Sequence, residues 1–158
     1  MNEEIEDFHN EISYGTFNNV KRLLKNGIDI NGRDNDLSTA LHVAISYNKT
    51  DIALFLLENG ADVTLQTNRG LTPLHYAAEY DNLAVAEAIL KVSTEPLHLA
   101  CVYNGQPLEI AVRISNFSML KLLLDNGADK NYGDKGYTAF DTVKSNGIDE
   151  LTKLFERY

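Results

Sequence analysis

Two histidines, His42 and His75, stand 33 residues apart in closely similar settings. Imidazoles can serve as general bases or as metal ligands, so this pair is the first place to look for chemistry. A structural metal site needs about four clustered ligands. The chain has a single cysteine and no H-x-x-x-H spacing. Cys101 lies three residues after His98 and could act as a thiol nucleophile, but an activated thiol needs a base and a group that orients it. No third member stands nearby. Asp29, Asp62 and Asp129 are carboxylates in one recurring Gly-x-Asp setting, a repeat or more apart, too far to work as an acid–base pair. No glycine-rich loop of the phosphate-cradling kind occurs. These residues point to no reaction, and the elements that carry them give a different reading.

His75 belongs to Gly70-Leu71-Thr72-Pro73-Leu74-His75-Tyr76-Ala77-Ala78. Thr72 suits a helix N-cap and Pro73 the first helical position. Leu74 is a core residue, and the two alanines let a second helix approach closely. The phrase recurs as Thr39-Ala40-Leu41-His42, Gln106-Pro107-Leu108-Glu109 and Thr138-Ala139-Phe140-Asp141, at intervals of 32 to 34 residues. A second line closes the repeats: Leu23-Leu24-Lys25-Asn26-Gly27, Leu56-Leu57-Glu58-Asn59-Gly60 and Leu123-Leu124-Asp125-Asn126-Gly127. Glycine after a helix is the left-handed stop. The missing copy falls at Ser93, so a strained positive φ is expected there, with the junction between repeats three and four the weakest.

A period near 33 carrying this phrase resembles the ankyrin repeat. The resemblance implies an all-α solenoid of about five helix–turn–helix repeats joined by hairpin-like fingers. It covers nearly the whole chain, with repeats near 1–33, 34–66, 67–100, 101–132 and 133–158 in one domain over 1–158. It also implies that His42 and His75 are structural, bonding the backbone of the neighbouring finger. The first repeat is degenerate, with helices expected near Glu4–Ser13 and Asn18–Lys25 and with Glu6, Phe8 and His9 where Thr72, Leu74 and His75 stand. Ile52, Leu56, Leu57, Val85, Ile89 and Leu90 are expected inside. So are Leu151, Leu154 and Phe155 of the C-terminal cap. Residues 94–104 read as a finger of unusual, apolar character, with a short extra helical turn as the alternative.

Composition narrows the partners. The formal net charge of the 158 residues is −9, which gives no electrostatic attraction to nucleic acid or anionic membrane and steers a basic protein toward the chain. No apolar run is long enough to span a bilayer. The acidic first residues do not read as a secretory signal, and one cysteine permits no internal disulfide. A reducing, cytoplasmic location is the expectation.

The residues that the repeat does not need are the informative ones. In ankyrin proteins two positions late in the first helix face the concave groove. Here they read Ser13-Tyr14, Ser46-Tyr47, Glu79-Tyr80, Arg113-Ile114 and Ser145-Asn146, so tyrosine recurs every 33 residues. The expected partner-binding set is Tyr14, Tyr47, Glu79, Tyr80 and Arg113. Asp34, Asp36 and Arg69 join it from the fingers, and Leu97, Leu99 and Tyr103 from the apolar finger. The expected function is non-catalytic binding of another protein, with no cofactor and no metal. The resemblance to small stand-alone bacterial ankyrin proteins extends it to an immunity-type inhibitor of a toxin. The alternatives are a scaffold, a host-directed effector fragment, and an enzyme using Cys101 and His98.

Overall fold

The structure is a computed structural model that describes residues 3–102, 105–133, 138–145, 147 and 149–158. Its helices come in pairs: α1 Glu3–Tyr14 with α2 Phe17–Lys25, α3 Ala40–Ser46 with α4 Thr50–Glu58, α5 Pro73–Glu79 with α6 Leu83–Val92, α7 Pro107–Arg113 with α8 Phe117–Asp125, and α9 Ala139–Ser145 with α10 Asp149–Glu156. The first pair starts and ends within one residue of the sequence-based expectation. Short connections of two or three residues turn the chain back on itself within each of the first four pairs. Helices that pack extensively are partners in one pair or members of adjacent repeats. Burial thus grows along a line of repeats, as expected for a solenoid.

Local chemistry sets the helix starts. Pro73 and Pro107 occupy first-turn positions where a missing N–H leaves nothing unsatisfied. Thr16, Asn82 and Asn116 cap α2, α6 and α8 through side-chain oxygens that accept from the N–H three residues on. The core runs through the stack without a break. Leu41, Leu74 and Leu108 from the recurring phrase are fully buried, as are Leu56, Ile89 and Leu123 from the second helices. The alanines at 44, 77, 78 and 111 are buried too, consistent with close approach of neighbouring first helices. On α2 the ammonium of Lys21 lies over the rings of Phe17 (4.6 Å to the centroid) and Phe55 (5.3 Å), a cation–π contact at the surface. No helix among the described residues is long and apolar enough to cross a membrane.

The fingers are tight turns, and among the described residues they carry only isolated bridges, Arg33 with Thr39 and Cys101 with Gly105. They are tied to one another. Asn68 N–H donates to Asp36 O (2.8 Å), Asn68 Nδ2 to Asp36 Oδ1 (3.0 Å), and Val102 N–H to Arg69 O (3.1 Å). The Arg33 guanidinium donates to Leu37 O and to Gln66 O.

Ser93 departs from expectation. Its backbone is extended (φ −158°, ψ 143°), whereas Gly27, Gly60 and Gly127 take the left-handed turn with φ near 90°. Lacking a glycine, the chain leaves α6 straight and bends back through a short 3-10 turn, Glu95–Leu97. The Ser93 hydroxyl accepts the Glu95 N–H (3.1 Å). The extra turn and the finger thus both exist, one after the other. Leu97, expected at the surface, is fully buried, as Val63 nearly is one repeat earlier. The left-handed strain sits elsewhere, at Leu37 in the first finger (φ 60°) and at Asn48, Asp81 and Ser115 between paired helices (φ 54° to 55°).

This relocates the stabilising glycine. Ser115→Gly is expected to raise stability by about 0.5–1 kcal/mol, and Ser93→Gly to lower it by a similar amount. Urea unfolding midpoints of the two variants check this; a Ser93→Gly variant more stable than the parent contradicts it.

Candidate functional site

His42 and His75 are fully buried. The Thr39 N–H donates to His42 Nδ1 (3.1 Å), which leaves the proton on Nε2, and Nε2 donates to Leu71 O in the next finger (3.1 Å). His75 repeats the arrangement, accepting from Thr72 N–H (3.1 Å) and donating to Gly105 O (3.1 Å). Burial pushes both imidazoles down to about 4, so both are neutral at pH 7, as one acceptor and one donor nitrogen require. They are occupied twice over by backbone and hold no nitrogen free for a substrate. Cys101 is half-buried, and its backbone pairs with Gly105 while His98 is exposed. Among the described residues, no group of three or more histidine, cysteine or acidic side chains could hold a metal ion.

In the fourth repeat Glu109 replaces the histidine. Its Oε2 accepts the Gln106 N–H (2.9 Å), as Nδ1 does in the other repeats. Its Oε1 is buried without a hydrogen-bond partner. Burial, with the charge of Asp129 adding to it, pushes the carboxyl up to about 7. In the last repeat Asp141 Oδ2 takes the Thr138 N–H (3.2 Å).

The opposite ends of the first helices carry the surface of interest. Tyr47 and Tyr80 are the C-caps of α3 and α5, and Tyr14 is the last residue of α1. All three are exposed, Tyr14 at 76% and the others near half. Tyr14 and Tyr47 share a hydroxyl–hydroxyl hydrogen bond of 2.9 Å and meet edge to face at 5.4 Å. Tyr80 stacks on Tyr76 at 5.9 Å, and Tyr76 in turn packs against the His42 ring at 5.1 Å. Tyr76 was not singled out by the sequence; its one signal is size, since Val43, Ile110 and Thr142 stand at the equivalent positions. Ile114 continues the row and is 39% exposed.

The other expected residues divide. Glu79 and Arg113 are exposed and form a long ion pair with each other (3.9 Å). Asp36 and Arg69 line one cleft of about 540 Å3 with Ser38, Thr67, Asn68 and Tyr76. Asp34 is half-buried beside His9. Leu97 is in the core, Leu99 is half-buried, and Val102 is a large apolar residue of that finger that is exposed. Tyr103 lies outside the described residues.

The buried groups predict two opposed pH dependences. The folded value of about 4 for His42 and His75 lies below their ordinary 6.5, so their contribution is complete above pH 6.5 and is lost as pH falls through about 4. The folded value of about 7 for Glu109 lies above its ordinary 4.5, so its contribution is complete below pH 4.5 and is lost as pH rises through about 7. Urea titrations between pH 5 and 8 on Glu109→Gln should show the alkaline loss removed. His42→Ala and His75→Ala should each lower stability at pH 7 by about 1–3 kcal/mol.

Comparison with known families gives two matching models, ankyrin repeats (many copies) over residues 23–77 and ankyrin repeats (3 copies) over residues 64–134. No curated protein matches the chain. The repeat length, the paired helices, the bridging histidines and these matches agree, and the chain belongs to the ankyrin-repeat proteins.

Proposed function

We propose that residues 1–158 act as one domain that binds a partner protein along the groove between first helices and fingers, without catalysing a reaction. Ankyrin repeats are protein-interaction modules, and the family is typically non-enzymatic. The observation that carries the placement is the row Tyr14, Tyr47, Tyr80 and Ile114. These side chains occupy one register position in four successive repeats and remain exposed although the stack does not need them. Tyrosine offers contact area and a polar tip for little lost rotamer freedom, which is why it is common at interface hot spots. The mutual contacts of Tyr14 with Tyr47 and of Tyr76 with Tyr80 hold the rings in place before a partner arrives, lowering the ordering cost of binding.

Glu79, Arg113, Asp34, Asp36 and Arg69 form the polar margin, and Leu99 and Val102 extend it at the apolar finger; Tyr103, outside the described residues, belongs to the proposed set by its place in the sequence alone. Leu97 supports that finger from inside. The partner is a protein with a basic surface, drawn by the −9 net charge, and neither nucleic acid nor a membrane. A shallow groove of fixed register suits steric blocking, and the role assigned is that of a cytoplasmic, bacterial immunity protein that neutralises a toxin. A neighbouring toxin gene would support that role over a scaffold or an effector.

With the partner in hand, Tyr47→Ala and Tyr80→Ala should each weaken binding by about 2 kcal/mol, roughly thirtyfold, mainly through faster dissociation. Charge reversal at Lys91 or Lys121 on the second helices should change little. Surface plasmon resonance of the four variants decides it: wild-type affinity in the tyrosine variants with losses in the lysine variants contradicts the placement.

A further inference from the structure

Between the second helices of the first two repeats lies a cleft of about 690 Å3, with Lys21, Arg22, Leu24 and Lys25 of α2, Asn26 after it and Phe55 of α4 in its lining. Three of the lining residues are cations and none is a carboxylate, in a chain whose net charge is −9. Arg22 and Lys25 are exposed and form no ion pair among the described residues. Leu24 and Phe55 are half-buried and give the cleft its apolar surface. Phe17 meets Phe55 edge to face at 5.2 Å, and the ammonium of Lys21 rests over the two rings.

The other repeats show what is unusual here. Gly27, Gly60 and Gly127 align the three Leu-Leu-x-Asn-Gly lines, so Lys21 and Lys25 stand where Lys121 and Asp125 stand in the fourth repeat. There the two side chains form an ion pair across one helical turn. In the first repeat the same two positions hold like charges, an arrangement that destabilises a helix. The asparagine of the line differs too. Asn59 and Asn126 turn their Nδ2 groups back onto the carbonyls of Phe55 and Leu122 (2.8 Å each). The Asn26 side chain makes no such bond among the described residues, and its amide is open on the cleft. Both departures fall on one cleft, and both leave hydrogen-bond donors without an internal acceptor.

We propose that this cleft docks a short acidic segment of another protein, its carboxylates paired with Arg22 and Lys25 and its apolar side chains against Leu24 and Phe55. Spacing suits the occupant. Lys21 and Lys25 lie one turn apart, about 6 Å along the helix. Alternate residues of an extended segment are about 6.6 Å apart, so a Glu-x-Glu segment presents its carboxylates in step with the cations. Nucleic acid and anionic membrane are poorer occupants. Arg22 also borders a cleft holding Asp7 and Glu11, whose charge a long polyanion would meet. The site is carried by the second helices, not by the tyrosine positions, and does not rest on the reading of the groove.

The test titrates the full chain with the peptide acetyl-Glu-Leu-Glu-Leu-Glu amide while the Asn26 side-chain amide and the Phe55 ring are followed by NMR. Acetyl-Gln-Leu-Gln-Leu-Gln amide, inorganic phosphate and oligothymidylate are the comparison ligands. Saturable shifts at both residues with the glutamate peptide support the site, if affinity falls about threefold in Arg22→Gln and about tenfold when Lys25→Gln is added. Lys25→Asp is the sharper variant. It rebuilds the pairing of the fourth repeat, so the urea midpoint should hold or rise while peptide binding is lost. Lys121→Gln should bind like the parent. Five outcomes overturn the proposal: no saturable shift, an equal response to the glutamine peptide, tighter saturation by phosphate or oligothymidylate, the same shifts on raising the chain concentration alone, or full peptide affinity in a folded Lys25→Asp variant.

Discussion

Two neutral imidazoles hold this stack in register. Each closes the first turn of its own helix through Nδ1 and grips the backbone of the next finger through Nε2. The bond costs nothing in charge, because burial keeps the ring neutral, and it satisfies a carbonyl of the next finger. A helix start, a finger and the neighbouring repeat are thereby fixed relative to one another by one side chain. Everything at the far end of the same helices inherits that register, including the tyrosine row.

Register has a consequence for function. A side chain at a given place in one repeat is carried to the same place in the next, so a residue type repeated every 33 positions becomes a physical row. Tyr14 and Tyr47 are in contact for this reason. The same logic shows where the chain departs from its own rule. Glu109 keeps the acceptor half of the histidine's work and, as a carboxylate, cannot perform the donor half. His9 keeps the histidine and loses the N–H it would have used. Each leaves a buried polar atom without a partner. At Glu109 the consequence is a carboxyl that titrates near neutrality; at His9 it is an imidazole whose Nδ1 lies 3.5 Å from Asp34 Oδ2 in the first finger.

Much of this fold was legible in the sequence because its signals are redundant. The Thr-Pro-Leu-His phrase, the Leu-Leu-x-Asn-Gly line and the 33-residue spacing each place the same helices, and the helix ends fall where caps and prolines put them. Ser93 was misread because the sequence shows which residue is missing from a motif but not how the chain compensates. The compensation, an extended exit and a 3-10 turn that buries Leu97, depends on packing several residues further on. At the site, Tyr14, Tyr47 and Tyr80 were legible because they recur. Tyr76, the pairing of Glu79 with Arg113, and the unsatisfied ring of His9 were not. They arise from contacts between repeats, and no single stretch of sequence encodes them.

The central claim is that the tyrosine row is the surface a partner covers. The direct measurement is an NMR footprint of the chain with ring-labelled tyrosine and side-chain-labelled lysine, alone and in complex. The account predicts large shifts or broadening at Tyr14, Tyr47 and Tyr80, with Lys91 and Lys121 unchanged. Unperturbed tyrosine rings in a saturated complex, with the lysine signals of the second helices displaced, would contradict it.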